Sequence, residues 1–342
     1  MKPMHTEHQY IDRDTRQVLN ETFYGDRAIR FLYSRVRENA PGLFRVLTGS
    51  RISRWLGYLN YESFLGEKIL GARQFLRATG INGAECLENP QQFDTIKRIF
   101  ERKIRYWDCR PMPYDPGAVV SPCDAKMLYG SLSDTSTFFI KGKFFNYDEL
   151  IGTEKERWKA AFSDGDFAVF RLTPEKYHYN HTPVAGRVLD YYHIDGAYNS
   201  CHPDAVISTC TPYSKNKRVV TVINTDVPGG TQVGLVAMIE VVALMIGDIV
   251  QCYSDHHYDG PMPVGMGLFM RKGQPKSLFR PGSSTVILFF AKDRVRFSDD
   301  IAANMAAHGV QSLFNRGFGS RLVETDVKVR SRIGTTLGKL NS

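Results

Sequence analysis

The chain has 342 residues, 42% hydrophobic and 23% charged, with 17 Tyr and 21 Phe. That is an ordinary globular composition, long enough for a sizeable core, and it excludes a largely disordered chain. Lysine and arginine total 44 against 36 acidic residues, a formal charge of +8, which favours anionic partners such as nucleic acid or acidic lipid headgroups.

The start of the chain, Met1 to Gln17, is polar and mixed in charge, without the basic-then-apolar pattern of a secretory leader. Between Arg27 and Arg54 there are seven arginines and one acid, Glu38, with Ile29, Phe31, Leu32 and Val36 among them. Such segments suit helices on an anionic membrane surface, and equally a plain solvated basic face. Pro41-Gly42 breaks the region. Further helices are expected over Leu70 to Ala78, ending near Gly80, and over Phe93 to Arg105, where Ile96, Ile99, Phe100 and Ile104 recur at helical spacing.

From about Pro111 the pattern changes to short apolar stretches bounded by Gly, Pro, Asn and Asp. These are Ala118-Val-Val, Phe138-Phe-Ile, Phe167-Ala-Val-Phe, Val219-Val-Thr-Val-Ile and Val286-Ile-Leu-Phe-Phe. They read as strands, with a hairpin turn at Asp226 to Gly230. The run Val233 to Ile249 is interrupted by Glu240 and Asp248, so it reads as buried strand or helix, and no segment is expected to span a bilayer. The fold class is α+β: a helical, basic, membrane-facing region over residues 1–110, then a β-rich body of short antiparallel strands over 111–342. The six cysteines (Cys86, Cys109, Cys123, Cys201, Cys210, Cys252) form no Cys-x-x-Cys pair. Reduced cytosolic thiols are expected rather than a disulfide scaffold or a thiolate zinc site.

Three constellations carry chemistry: Ser121-Pro-Cys-Asp124, the block Phe170 to Pro183 with His178 and His181, and Gly282-Ser283-Ser284-Thr285 before an apolar strand. An acid, a histidine and a serine are the parts of an activated nucleophile: imidazole takes the hydroxyl proton and carboxylate fixes the imidazole's tautomer. The plainer alternatives are an Asp capping a turn, serines in a turn after Pro-Gly, and histidines three apart with no acid or Cys cluster to complete a metal site. No metal is expected, and no nucleic-acid motif is visible.

In chain order these segments resemble the phosphatidylserine decarboxylases over nearly the whole length. The resemblance rests on Ser53-Arg54-Trp-Leu-Gly57, Phe100-Glu-Arg102, Arg110-Pro111, Ser121-Pro-Cys-Asp124, Lys141-Gly-Lys-Phe-Phe and Leu150-Ile-Gly152. Its most specific part is Arg171-Leu-Thr-Pro-Glu-Lys-Tyr-His178-Tyr-Asn-His181-Thr-Pro183, followed by Gly186 and Asn216-Lys-Arg218. The chain departs from the family pattern at Ala125 in place of Gly, at Gln274, at Lys276-Ser277, and at the doubled Ser283-Ser284 where Gly-Ser-Thr is usual.

The resemblance implies self-cleavage, with Ser284 favoured and Ser283 as the alternative. His181, oriented by Asp124, would deprotonate the serine, which attacks the preceding carbonyl; the ester then collapses by β-elimination. The new chain would begin with a pyruvoyl group, whose ketone condenses with the substrate amine as pyridoxal phosphate does elsewhere. His178 would return the proton after decarboxylation. The implied activity is conversion of phosphatidylserine to phosphatidylethanolamine by a peripheral enzyme on the cytoplasmic side of a membrane, in a family where homodimers are common. Two alternatives stay open: a pyruvoyl decarboxylase of a soluble, for example aromatic, amino acid, and an uncleaved, non-catalytic membrane-binding relative.

Overall fold

The computed structural model describes residues 8–22, 71–133, 144–208, 212–243, 248–282, 284–318 and 321–338. The arginine-rich segment, Ser53 to Gly57, the Phe138 stretch and Ser283 lie outside the described residues.

Sixteen strands are described: β1 Gln9–Asp12, β2 Val18–Asn20, β3 Ala118–Val120, β4 Ala125–Ser131, β5 Asp166–Leu172, β6 Tyr179–His181, β7 Gly186–Ile194 and β8 Arg218–Asn224. The rest are β9 Leu235–Val241, β10 Ile249–Gln251, β11 Phe269–Met270, β12 Pro275–Phe279, β13 Ser284–Phe290, β14 Val295–Phe297, β15 Thr325–Val327 and β16 Arg332–Thr336. Ten of them form one sheet in the order β11-β7-β8-β9-β13-β5-β4-β15-β1-β2, and two three-stranded sheets, β10-β12-β6 and β14-β16-β3, stand beside it.

The apolar run Val286–Phe290 explains the centre of this arrangement. A strand covered on both faces reads as continuous hydrophobicity rather than alternation, and all seven residues of β13 are buried. One face, carrying Val286, Leu288, Phe290, Phe170 and Met238, packs against residues near or within the small sheets such as Ile249, Phe279, Phe297 and Ile333. The other, with Ile287, Phe289, Val169 and Ile239, packs against helical residues including Leu150, Trp158, Phe162 and Phe314. Helices, large sheet and small sheets therefore form three layers around two cores.

The α+β class holds, with differences in detail. The helix expected over Leu70 to Ala78 is found at Ala72–Thr79 and ends at Gly80, whose φ of 63° is the left-handed conformation glycine tolerates. The helix expected over Phe93 to Arg105 is only Ile96–Phe100. Tertiary bonds stop it. Arg102 turns inward to donate to the carbonyls of Ile99 and Glu175, and the Ile104 backbone pairs with the Tyr258 hydroxyl.

The described part of residues 1–110 is mixed rather than helical, because β1 and β2 extend the edge of the large sheet. β1 runs parallel to β15, an exception to the antiparallel expectation. Among the described residues no helix is long and apolar enough to cross a membrane. Among the described residues no disulfide is formed.

Candidate active site

Ser284 opens β13, opposite Leu172 of β5. It lies fully buried, and its hydroxyl oxygen has no hydrogen-bond partner among the described residues. An orphaned buried hydroxyl costs roughly 1–3 kcal/mol; Thr221, Thr285 and Thr325 carry buried hydroxyls in the same condition. By strand alternation Ser284 shares the face of Val286 and Leu288, the face covered by the small sheets.

The histidine block runs along β6 and into the residues before it. β6 pairs with β12 (Asn180 with Ser277, Tyr179 with Leu278), and the Phe279 N–H donates to the His178 carbonyl. His178 immediately precedes β6 and His181 ends it, and they meet different partners: Lys176 and Phe100 for His178, Tyr177, Gly273 and Tyr106 for His181. They therefore offer no shared metal geometry.

His178 lies two residues before Asn180, which reaches Glu240 of β9 and so looks onto the large sheet. Its Nδ1 is 2.7 Å from the Lys176 carbonyl, its ring lies 4.6 Å from Phe100, and its Nε2 is buried with no hydrogen-bond partner among the described residues. Desolvation first, then the nearby Arg102, pushes it down to about 4, against opposing pulls from the Lys176 and Gly282 backbone.

His181 faces an aromatic cluster instead. Nδ1 lies 2.9 Å from the Gly273 carbonyl and Nε2 3.0 Å from the Tyr177 hydroxyl. The ring meets Tyr106 edge-on at 4.7 Å. Burial pushes it down to about 3. Both histidines are neutral at pH 7. The hydrogen-bond pattern gives each an Nδ1–H tautomer.

Asp124 does not touch either histidine. Its carboxylate accepts from Arg110 Nε at 3.0 Å and Nη2 at 2.8 Å, and from the Val329 N–H at 2.8 Å. Burial alone would raise the carboxyl, but Arg110 and these bonds hold it below the usual carboxylate range. Asp124, Arg110, Arg102, Lys176 and Tyr177 line a polar cleft of about 200 Å³ that Ser284 does not line. The expected Asp124–His181–Ser284 chain of hydrogen bonds is thus not formed. The acid is taken by Arg110, His181 by Tyr177 and Gly273, and Ser284 stands apart.

A profile of the phosphatidylserine decarboxylase family matches residues 96–314, close to two thirds of the chain. The chain belongs to the phosphatidylserine decarboxylase family. The phosphatidylserine decarboxylase proenzyme of Fusobacterium nucleatum is 30% identical over 297 residues, covering 86% of this chain and 91% of that protein. The proenzyme of Chlamydia trachomatis serovar D is 27% identical over 337 residues, 96% of each chain. Proenzyme 2 of rice is 30% identical over 260 residues, 75% of this chain and 36% of that longer protein.

The family is one of carboxy-lyases, and two residues of the site, Tyr177 and Arg110, carry no signal of their role in the sequence. Tyr177 lies inside the histidine block, but only the fold shows its hydroxyl between His181 and Tyr258, 2.7 Å from the latter. Arg110 stands in the Arg-Pro pair, and a basic residue just before a strand-rich body carries no signal of which acid it will meet.

Proposed function

We propose that this chain cleaves itself before Ser284 and, with the pyruvoyl group so formed, decarboxylates phosphatidylserine to phosphatidylethanolamine at an anionic membrane surface on the cytoplasmic side. The observation that carries the reading is the pair of orphaned, fully buried polar atoms, Ser284 Oγ and His178 Nε2. They belong to facing layers of a family fold made as proenzymes.

The residues present suit such a group. Processing needs the Ser284 hydroxyl to lose its proton, attack the Ser283 carbonyl carbon and displace the Ser284 nitrogen. Elimination then breaks the new ester at the Ser284 Cβ–O bond, and water releases ammonia. The ketone of the pyruvoyl group supplies an electron sink for the α-carbon as carbon dioxide leaves.

Around it the chain supplies proton handling and dryness. Neutral His178, its Nδ1–H fixed on Lys176, presents a bare Nε2. It becomes a donor once it gains a proton, which an anionic headgroup beside it favours. For processing, the family assignment is His181 with Asp124. In the described conformation His181 is held by the Tyr177 hydroxyl and the Gly273 carbonyl. The basic segment Arg27 to Arg54 and the net charge of +8 supply the attraction to acidic lipid, about 1 kcal/mol per basic residue near the surface. Residues 1–110 and 111–342 would then serve as docking region and catalytic body.

The test is intact mass spectrometry of the purified chain, untreated and after borohydride reduction with phosphatidylserine vesicles. The expected result is two fragments, the smaller covering 284–342 with a blocked terminus that traps the substrate amine. A smaller fragment beginning at residue 283 moves the site by one. A single 38.8 kDa species overturns the reading. Trapping of a free aromatic amino acid but not of vesicle lipid replaces the substrate.

A further inference from the structure

Glu240 is a lone acid in the apolar strand β9, opposite Val286 of β13. Ser284 is two residues along β13 on the same face, so Glu240 is its diagonal neighbour across the strand pair. The side chain is fully buried, as is that of Lys276, whose Nζ lies 2.6 Å from Glu240 Oε2.

Lys276 is the extra residue of a β-bulge: Pro275 pairs with His181 and Ser277 with Asn180, leaving Lys276 without a partner on β6. Consecutive strand residues normally point to opposite faces, and a bulge re-aims one of them. Here the bulge lets both Lys276 and Ser277 reach Glu240. Asn180 donates to Glu240 Oε1 at 3.3 Å and to Ser277 Oγ at 3.0 Å. Gln251 closes the network, donating to Glu240 and accepting from Lys276.

Burying two opposite charges gains little over an apolar pair of the same shape. Stability alone therefore does not account for this network, and its geometry suggests what it does. Asn180 lies two residues from His178, and Glu240 lies beside Ser284. Residues 276 and 277 are also where the sequence departs from its family.

We propose that Glu240 and Lys276 are positioning residues: through Ser277 and Asn180 they lock β6, which His178 immediately precedes, onto the sheet face from which Ser284 projects. This rests on the reading of His178 and Ser284 given above. The apolar pair Glu240→Leu/Lys276→Met keeps volume and charge balance, and Asn180→Leu cuts only the link. Both are expected to melt within a few degrees of the parent.

Both are also expected to slow fragment formation by about tenfold or more, and after cleavage to lower kcat with KM for phosphatidylserine vesicles little changed. In an uncleavable Ser284→Ala chain, the imidazole 15N resonances of His178 should move when Asn180→Leu is added. Parent rates in both variants, or an unmoved His178 signal, overturn the proposal. If the parent chain is never cleaved, the reading of Ser284 falls, and the His178 signal alone then decides the positioning.

Discussion

Arg110 grips Asp124 at two points, from Nε at 3.0 Å and Nη2 at 2.8 Å, with both side chains buried. Removing the guanidinium leaves a buried carboxylate with one backbone donor. Arg110→Met, made in the uncleavable Ser284→Ala chain, should lose about 3–5 kcal/mol in urea unfolding. A loss under about 1 kcal/mol would mean the pair is far better hydrated than its burial implies.

The different partners of His178 and His181 predict separable defects. His178→Gln should leave two fragments on a denaturing gel but lower kcat by roughly 100-fold or more, the usual weight of one positioned acid or base. His181→Gln should leave the chain uncut. The reverse pattern would transfer the processing step to His178.

Stability should fall in mild acid. His178 is pushed down to about 4 and His181 to about 3, both below the ordinary value of 6.5. Between 6.5 and these values the unfolded chain binds protons that the native chain refuses, so stability rises with pH. The full contribution is present above 6.5 and is lost as the pH falls through the folded values. Unfolding of the Ser284→Ala chain at several pH values should show a positive slope that drops by about 1.4 kcal/mol per pH unit when His178 is replaced by Gln. An unchanged slope would show that His178 does not stay neutral in the fold.

Arg171, first residue of the histidine block, bonds Glu21 and Glu324 at once, with His8 2.8 Å from Glu324. All four side chains are buried. Burial opposes ionisation of both acids, but Arg171 holds Glu324 and Glu21 well below the usual carboxylate range. Arg171→Met should destabilise by about 3–5 kcal/mol. Arg171→Lys should recover only part of that, because an ammonium lacks the planar fork that meets two carboxylates. Full recovery by Lys in thermal melts would reduce the cluster to simple charge balance.

Local patterning by itself determined a good deal. The uninterrupted apolar run of Val286–Phe290 announced a strand, Gly80 marked a helix end, and the ordered blocks from Phe100 to Thr285 carried the family. Each of these signals is contained in a few neighbouring residues. What only the tertiary structure decided depends on which distant groups meet. Asp124 found Arg110 and a Val329 amide instead of His181, and His181 found Tyr177 and Gly273. Glu240 looked like no more than a break in an apolar segment, until burial beside Lys276 gave it a partner. The physical reason is that backbone periodicity is written locally. The pairing of buried charges is set instead by the cost of leaving any one of them alone, and that depends on the whole fold.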